Sequence, residues 1–153
     1  MGQMIDNLEE NDRAILAMLS RDGRMSYTDL GREVGLSTSA TQQRVRRLEQ
    51  RGVITEYRAE IDPNQVGRAL SAFIEIRPLG ADPEDRAPDY LRTLPEITAC
   101  YSVAGNASYT CFVQVASAQA LDSLLNKIRR ELAVNTVTTI VLRTIFSHRP
   151  LVD

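Results

Sequence analysis

The chain has 153 residues, 43% of them hydrophobic and 25% charged, and a formal net charge of −2. That length allows one domain or two small ones with a packed core, and a pI near 5.5 excludes a protein that coats nucleic acid through bulk positive charge. No apolar run reaches the roughly 18 residues of a membrane span, and the opening Met1-Gly2-Gln3-Met4 leads into acids rather than a signal sequence, so a cytoplasmic chain without membrane contact is expected.

Residues Leu8 to Leu19 read as a first helix, with Leu8, Ile15, Leu16 and Leu19 apolar, Asn11 and Asp12 near its start and Gly23 beyond its end. Ser26 caps a second helix with Asp29 as its capping-box acid, and Leu30 and Val34 share one face. Gly35 supplies the left-handed residue that stops it. Leu36 points into the core, and Ser37 caps a third helix in which Ala40 stands where a capping-box acid would be. The break Gly35-Leu36-Ser37 is the three-residue turn of a helix-turn-helix.

On the third helix Thr41, Val45 and Leu48 cluster on one side, and Ser39, Gln43, Arg46, Arg47 and Gln50 lie opposite. Arg can bond a guanine edge bidentately and Gln an adenine edge, while Ser and Arg also hold phosphates, so this outer face suits a major groove. Arg44, Arg46, Arg47 and Arg51 are opposed within the helix by Glu49 alone. A merely solvated surface helix is the plain alternative. The turn between two capped helices favours DNA reading, with Ser39, Gln43 and Arg46 on base edges, Arg44, Arg47 and Gln50 on phosphates, and Ser37, Thr38 and Gln42 completing the DNA-binding set.

Gly52 ends that helix, and Val53-Ile54, Tyr57, Ala59 and Ile61 alternate as a short two-stranded wing. The first domain is therefore expected over residues 1–62, broken by Asp62-Pro63-Asn64, with a linker over 63–69 and a second domain over 70–153.

From Leu70 the pattern becomes strand (Leu70 to Arg77), helix (Pro83 to Leu94), strand (Ile97 to Ala104), strand (Tyr109 to Ala116), helix (Ser117 to Arg130) and strand (Thr136 to Phe146). Leu121, Leu124, Leu125 and Ile128 make the clearest helical stripe, and Gly105-Asn106-Ala107-Ser108 supplies the hairpin turn. A βαββαβ order folds most simply as a ferredoxin-like sandwich with both helices on one sheet face, so the fold class is α+β. The strands are apolar on both sides, Phe73 against Ala72 and Ile74 for example, which calls for a lid on the other face. A second copy of the same sheet, in a symmetric dimer, is the expected lid; the alternative is the winged domain folding back.

Cys100 and Cys111 are the only cysteines, and no Cys/His spacing fits zinc, so neither metal nor cofactor is expected. Both thiols are expected reduced, on adjacent strands, as buried small hydrophobes. His148, the single histidine, has no candidate partner in sequence.

Leu8, Asp12-Arg13, Ile15-Leu16, Gly23-Arg24, Leu30, Gly35-Leu36-Ser37, Arg44-Val45-Arg46-Arg47-Leu48-Glu49, Gly52-Val53-Ile54, Tyr57, Gly67 and Ser102-Val103-Ala104-Gly105 occur in an order and spacing that resembles the Lrp/AsnC, or feast/famine, transcription regulators over essentially the whole chain. The resemblance implies a DNA-binding domain joined to an amino-acid-sensing ferredoxin-like βαββαβ (RAM-type) domain, with double-stranded DNA and an amino-acid effector as partners. It also implies homodimers that assemble into tetramers or octamers. The effector site it implies, at a contact between dimers, falls around Tyr101, Val103, Gly105, Asn106, Thr136 and Thr138. Two positions depart from the family pattern. Many relatives carry Gly-Asp-x-Asp where this chain has Gly105-Asn106-Ala107-Ser108, so an effector's ammonium loses its usual carboxylate and turns to neutral acceptors such as the Asn106 amide oxygen or backbone carbonyls. Thr41 replaces an aliphatic residue, with a hydroxyl able to bond back within its own helix.

Catalysis finds no support in nucleophile, metal or phosphate-loop motifs. Asp82, Glu84, Asp85 and Asp89 read as a solvated, dipole-favourable helix start. The stronger rival is a ligand-binding or interaction protein of ferredoxin-like fold without specific DNA binding.

Overall fold

The computed structural model describes residues 8–152 and divides into two compact units, one of residues 8–60 with 146–152 and one of residues 61–145.

The first unit holds α1 (Glu10–Arg21), α2 (Tyr27–Val34) and α3 (Thr38–Gln50) around a core of Ile15, Leu16, Leu30, Val45 and Leu48, against which Val152 also packs. The helix ends follow from local chemistry. The Ser26 hydroxyl accepts from the Asp29 amide at 3.1 Å and donates to the Asp29 carboxylate at 2.6 Å, and Ser37 accepts from the Ala40 amide at 3.2 Å. Gly35 takes φ 68°, ψ 31° as expected of a left-handed stop. α2 and α3 cross closely because residue 31 has no side chain: a Cβ there would lie 2.6 Å from the Leu36 carbonyl oxygen and 2.9 Å from Thr41 Oγ1. Thr41, fully buried, donates to the Ser37 carbonyl at 2.9 Å, so its hydroxyl is satisfied inside its own helix turn.

The expected two-stranded wing does not form strands. Residues 53–69 contain no β-strand, and Val53, Tyr57 and Ile61 are 37%, 50% and 60% exposed. The stretch from Val53 to Ile61 has no Gly, Asn or Pro to turn a hairpin, and a two-stranded ribbon alone is marginal. His148 gains a partner that its sequence neighbourhood does not show: Nδ1 lies 3.5 Å from Glu60 Oε1, an ion pair when the ring is protonated.

The second unit runs β1 (Leu70–Pro78), α4 (Ala81–Arg92), β2 (Ile97–Ser102), β3 (Tyr109–Val115), α5 (Ala118–Leu132), β4 (Val134–Ile140), and its sheet order is β2-β3-β1-β4 with every pair antiparallel. This is the ferredoxin-like arrangement. Ala72, Ile74 and Ile76 of β1 and Cys111, Val113 and Val115 of β3 face the helices and join Leu91, Leu121, Leu124 and Ile128 in the core. The last strand stops at Ile140, six residues short of its expected end: Ile140 pairs with Ala72, and Val141 makes a final bond to Ser71 at 2.9 Å. α4 tolerates Pro88 because the Glu84 carbonyl, deprived of its helical donor, accepts instead from the Tyr109 hydroxyl at 3.2 Å.

The register fixes two rows of side chains on each sheet face. Under the helices run Cys100, Cys111, Ile74 and Thr138, then Ser102, Tyr109, Ile76 and Thr136; on the opposite face run Tyr101, Thr110, Glu75 and Val137, beside a Phe112, Phe73 and Thr139 row. That second face is uncovered within the unit and mixed in character, its apolar side chains Phe73 and Val137, 44% and 43% exposed, standing among Glu75, Thr110 and Thr139. The rings of Phe73 and Phe112 meet at 5.0 Å. The cysteines differ from expectation: Cys111 is buried, but Cys100, on the edge strand, is exposed.

Candidate nucleic-acid interface and ligand site

Position along α3 separates its polar side chains into two groups. Ser39, Gln43, Arg46, Arg47 and Gln50 are exposed, together with Ser37 and Thr38 at the helix start, while Gln42 is half-buried. Arg46 has no ion-pair partner among the described residues. The helix start also presents unpaired amides, which with the Ser37, Thr38 and Ser39 hydroxyls form a favourable setting for a phosphate. The internal contacts these groups make are local and exposed: Ser37 caps the Ala40 amide and meets Ser39 Oγ at 3.3 Å, and the Thr38 hydroxyl meets that of Thr28 at 3.2 Å.

Arg44 does not belong with them. Its Nη1 bonds Asp12 Oδ1 at 2.9 Å and its Nη2 bonds Glu9 Oε2 at 2.7 Å, and its side chain is only 21% exposed. The hydrogen bonds it donates to Asp12 and then to Glu9 hold its pKa above the ordinary arginine value. A guanidinium occupied by two carboxylates is a clamp between the start of the chain's first helix and α3, and it is not free to make the phosphate contact expected of Arg44. Arg47 stands between the two groups: half exposed, it reaches Asp12 Oδ2 at a loose 3.7 Å. Asp12, 1% exposed, is the residue that sequence reasoning missed. The signal was available, since Asp12 precedes Ile15, Leu16 and Leu19 at spacings of three, four and seven and therefore lies on the apolar stripe. A carboxylate there requires a buried partner.

The predicted effector residues fall into two sets. Tyr101 and Val103 are 60% and 38% exposed, and with exposed Gly105 and Asn106 they occupy the end of β2 and the loop to β3. That loop is anchored by Val103 N–H to the Ser108 carbonyl and Ser108 N–H to the Ile76 carbonyl, each at 3.0 Å. The Ser108 hydroxyl donates to Glu84 Oε1 at 3.0 Å, so a carboxylate from α4 reaches a loop whose own sequence has none. Thr136 and Thr138 lie on β4, at the opposite edge and on the opposite sheet face from Tyr101. Three strand spacings of about 4.8 Å put the two edges roughly 14 Å apart. One protomer therefore does not bring the two sets together. Thr136 Oγ1 accepts from Arg129 Nε at 2.8 Å, whereas the buried Thr138 hydroxyl has no partner. Two open depressions, of about 500 Å³ at Asn126, Arg129 and Arg130 and about 330 Å³ around Met25, Tyr27 and Tyr57, include none of the predicted effector residues.

A three-helix reading head with an exposed cationic recognition helix, followed by a ferredoxin-like domain, defines a class of DNA-binding transcriptional regulators with a ligand-binding domain. Comparison with known proteins agrees in both halves: residues 8–55 match the winged helix-turn-helix DNA-binding family, and residues 71–151 match the Lrp/AsnC ligand binding domain. The chain belongs to the Lrp/AsnC family. It is 47% identical over 146 residues to the HTH-type transcriptional regulator LrpA of Mycobacterium tuberculosis, covering 95% of this chain and 97% of that one. It is 34% identical over 139 residues to the leucine-responsive regulatory protein of Escherichia coli, covering 89% and 85%. A solved structure of the feast or famine regulatory protein of M. tuberculosis complexed with L-methionine superposes with a TM-score of 0.90 at 46% identity, covering 95% of this chain and 99% of that one. Among the described residues no helix is long and apolar enough to cross a membrane.

Proposed function

We propose that this regulator acts in the cytoplasm as a homodimer, paired through the uncovered sheet faces and assembling further into tetramers or octamers, with an amino acid as effector. Each dimer offers two α3 helices to successive major grooves of a roughly palindromic operator, with half-sites about one helical turn apart. Arg46, Gln43 and Ser39 read base edges, and Arg47, Gln50, Ser37 and Thr38 hold phosphates, with Gln42 at the flank. The observation that carries this reading is the contrast along α3: Arg46 is exposed and unpaired, while Arg44 is locked to Asp12 and Glu9.

The effector reading is supported by the L-methionine complex of a relative at 46% identity. In this chain the site comprises Tyr101, Val103, Gly105 and Asn106 of one protomer, with Thr136 and Thr138 supplied by a neighbouring one across a dimer–dimer contact, a reading that the separation of the two edges supports. The α-ammonium meets the Asn106 amide oxygen, backbone carbonyls and the Glu84 carboxylate brought up by Ser108. An effector acts only through different affinities for the assemblies it links. Sedimentation and thermal melting in the presence of the twenty amino acids test this. A ligand that fits shifts the assembly size or raises Tm, and a chain indifferent to all twenty is not an amino-acid sensor.

A further inference from the structure

Cys100 and Cys111 are directly opposed in the β2–β3 register, with the Cys111 thiol donating to the Cys100 sulfur at 3.5 Å. Opposed residues of an antiparallel pair have Cα atoms about 4.5 to 5.5 Å apart, inside the range of about 4.4 to 6.8 Å that a disulfide spans. Side-chain rotation can therefore close the bond without moving the strands. The two sulfurs also differ in access, since Cys100 is exposed on the edge strand and Cys111 is buried. Packing alone accounts for Cys111 but not for a thiol exposed at a sheet edge and in contact with a second one.

We propose that this pair is a covalent modification site: a dithiol that a peroxide converts into a cross-strand disulfide, stapling β2 to β3 at the foot of the loop that carries Tyr101 to Asn106. The Cys100 thiolate attacks the peroxide O–O bond, giving a sulfenic acid and releasing one water after proton transfer. The Cys111 sulfur then attacks the Cys100 sulfur, forming the S–S bond and releasing the hydroxyl as a second water. Two thiols and one hydrogen peroxide become one disulfide and two waters, a two-electron oxidation, and a small-molecule dithiol reverses it. Burial, followed by the bond to Cys100, pushes the Cys111 thiol well up. That assigns the first attack to Cys100 and makes Cys111 the slower, resolving sulfur. In a reducing compartment such a bond is transient, as suits a response to oxidant. The staple stands on strand placement and does not depend on the effector reading of the loop.

The test uses the full-length chain and hydrogen peroxide. Wild type is expected to lose both alkylatable thiols while remaining a single chain on a non-reducing gel. Peptide mapping should link Cys100 to Cys111, and dithiothreitol should restore both thiols. Cys111→Ser should trap a sulfenic acid at Cys100 that reacts with dimedone, and Cys100→Ser should leave Cys111 unoxidised under the same dose. Amide exchange over residues 101–108 should slow by about tenfold or more in the oxidised protein, as expected when a loop is closed covalently. The proposal is overturned if two free thiols survive excess peroxide, if Cys100 runs on to sulfinic acid without linkage, if bridging is only between chains, or if exchange over 101–108 is unchanged by the linkage.

Discussion

Replacing Asp12 by Ala removes the buried carboxylate that ties α1 to the recognition helix. Breaking a buried ion pair by deleting one member costs about 3 to 5 kcal/mol when the other charge is left without a partner. Here Arg44 keeps Glu9 at 2.7 Å and some solvent contact, with 21% of its side chain exposed. The loss is therefore placed at the low end, about 3 kcal/mol. Glu9→Ala removes a carboxylate that is 62% exposed, and costs less than about 1 kcal/mol by the measure of surface pairs. Urea unfolding of the full-length variants, read by amide exchange in α1 and α3, gives both values. An Asp12→Ala, Arg44→Ala double-mutant cycle should show a coupling of about 2 kcal/mol, since neither single change is independent of the other. A coupling below about 0.5 kcal/mol, or equal costs for Asp12→Ala and Glu9→Ala, would refute the view that Asp12 is the centre of this network.

Three further outcomes follow from local geometry. Gly31→Ala should lower Tm despite better helix propensity: the gain is about 1 kcal/mol at most, whereas forcing apart α2 and α3 to clear contacts of 2.6 and 2.9 Å costs about 1 to 3 kcal/mol; a higher Tm would contradict the close-crossing account. Tyr109→Phe should destabilise the second unit by about 1 kcal/mol in urea, because it orphans the Glu84 carbonyl that Pro88 leaves without a helical donor, and a neutral effect would mean that solvent satisfies that carbonyl. Tyr57, half exposed, has its pKa pushed up to about 12 by the desolvation of its partly covered ring and by the hydrogen bond its hydroxyl donates to the Glu49 carboxylate at 3.0 Å. Its folded pKa exceeds its unfolded one, so its contribution to stability is full below about pH 10 and is lost as pH rises through about 12. Phenolate absorbance of wild type minus Tyr57→Phe should show a group titrating near pH 12, and one titrating near pH 10 would remove the Glu49 contact from the account.

Much of this architecture was legible because it is local. Ser26, Gly35 and Ser37 fix helix ends through bonds to residues three or four away, and the 3.6-residue stripe of Leu121, Leu124, Leu125 and Ile128 names its own buried face. The βαββαβ order follows from alternating periods and admits few topologies. What the sequence concealed depends on partners distant along the chain. Arg44 looked like another outward cation until Asp12, 32 residues earlier, proved to be its partner. The end of β4 falls where its pairing with β1 stops, at Ala72, and no break signal in its own residues marks it. Cys100 and Cys111 occupy equivalent hydrophobic positions in their strands, and only the sheet order, which puts β2 at an edge, gives them different exposure. Tyr57 and Ile61 carry strand-like alternation, but a pattern does not make paired strands without a turn and a neighbour.

Salt-titrated binding of fluorescent duplexes tests the DNA-reading role of the outer face of α3 most directly. Arg46→Ala should cost about 1 to 3 kcal/mol on the selected operator with little change on random DNA, Arg47→Ala should weaken both alike and reduce the salt slope by about one, and Arg44→Ala should lower stability with the slope unchanged. Equal losses for Arg46→Ala on operator and random DNA, or a salt slope that falls for Arg44→Ala and not for Arg47→Ala, would contradict it.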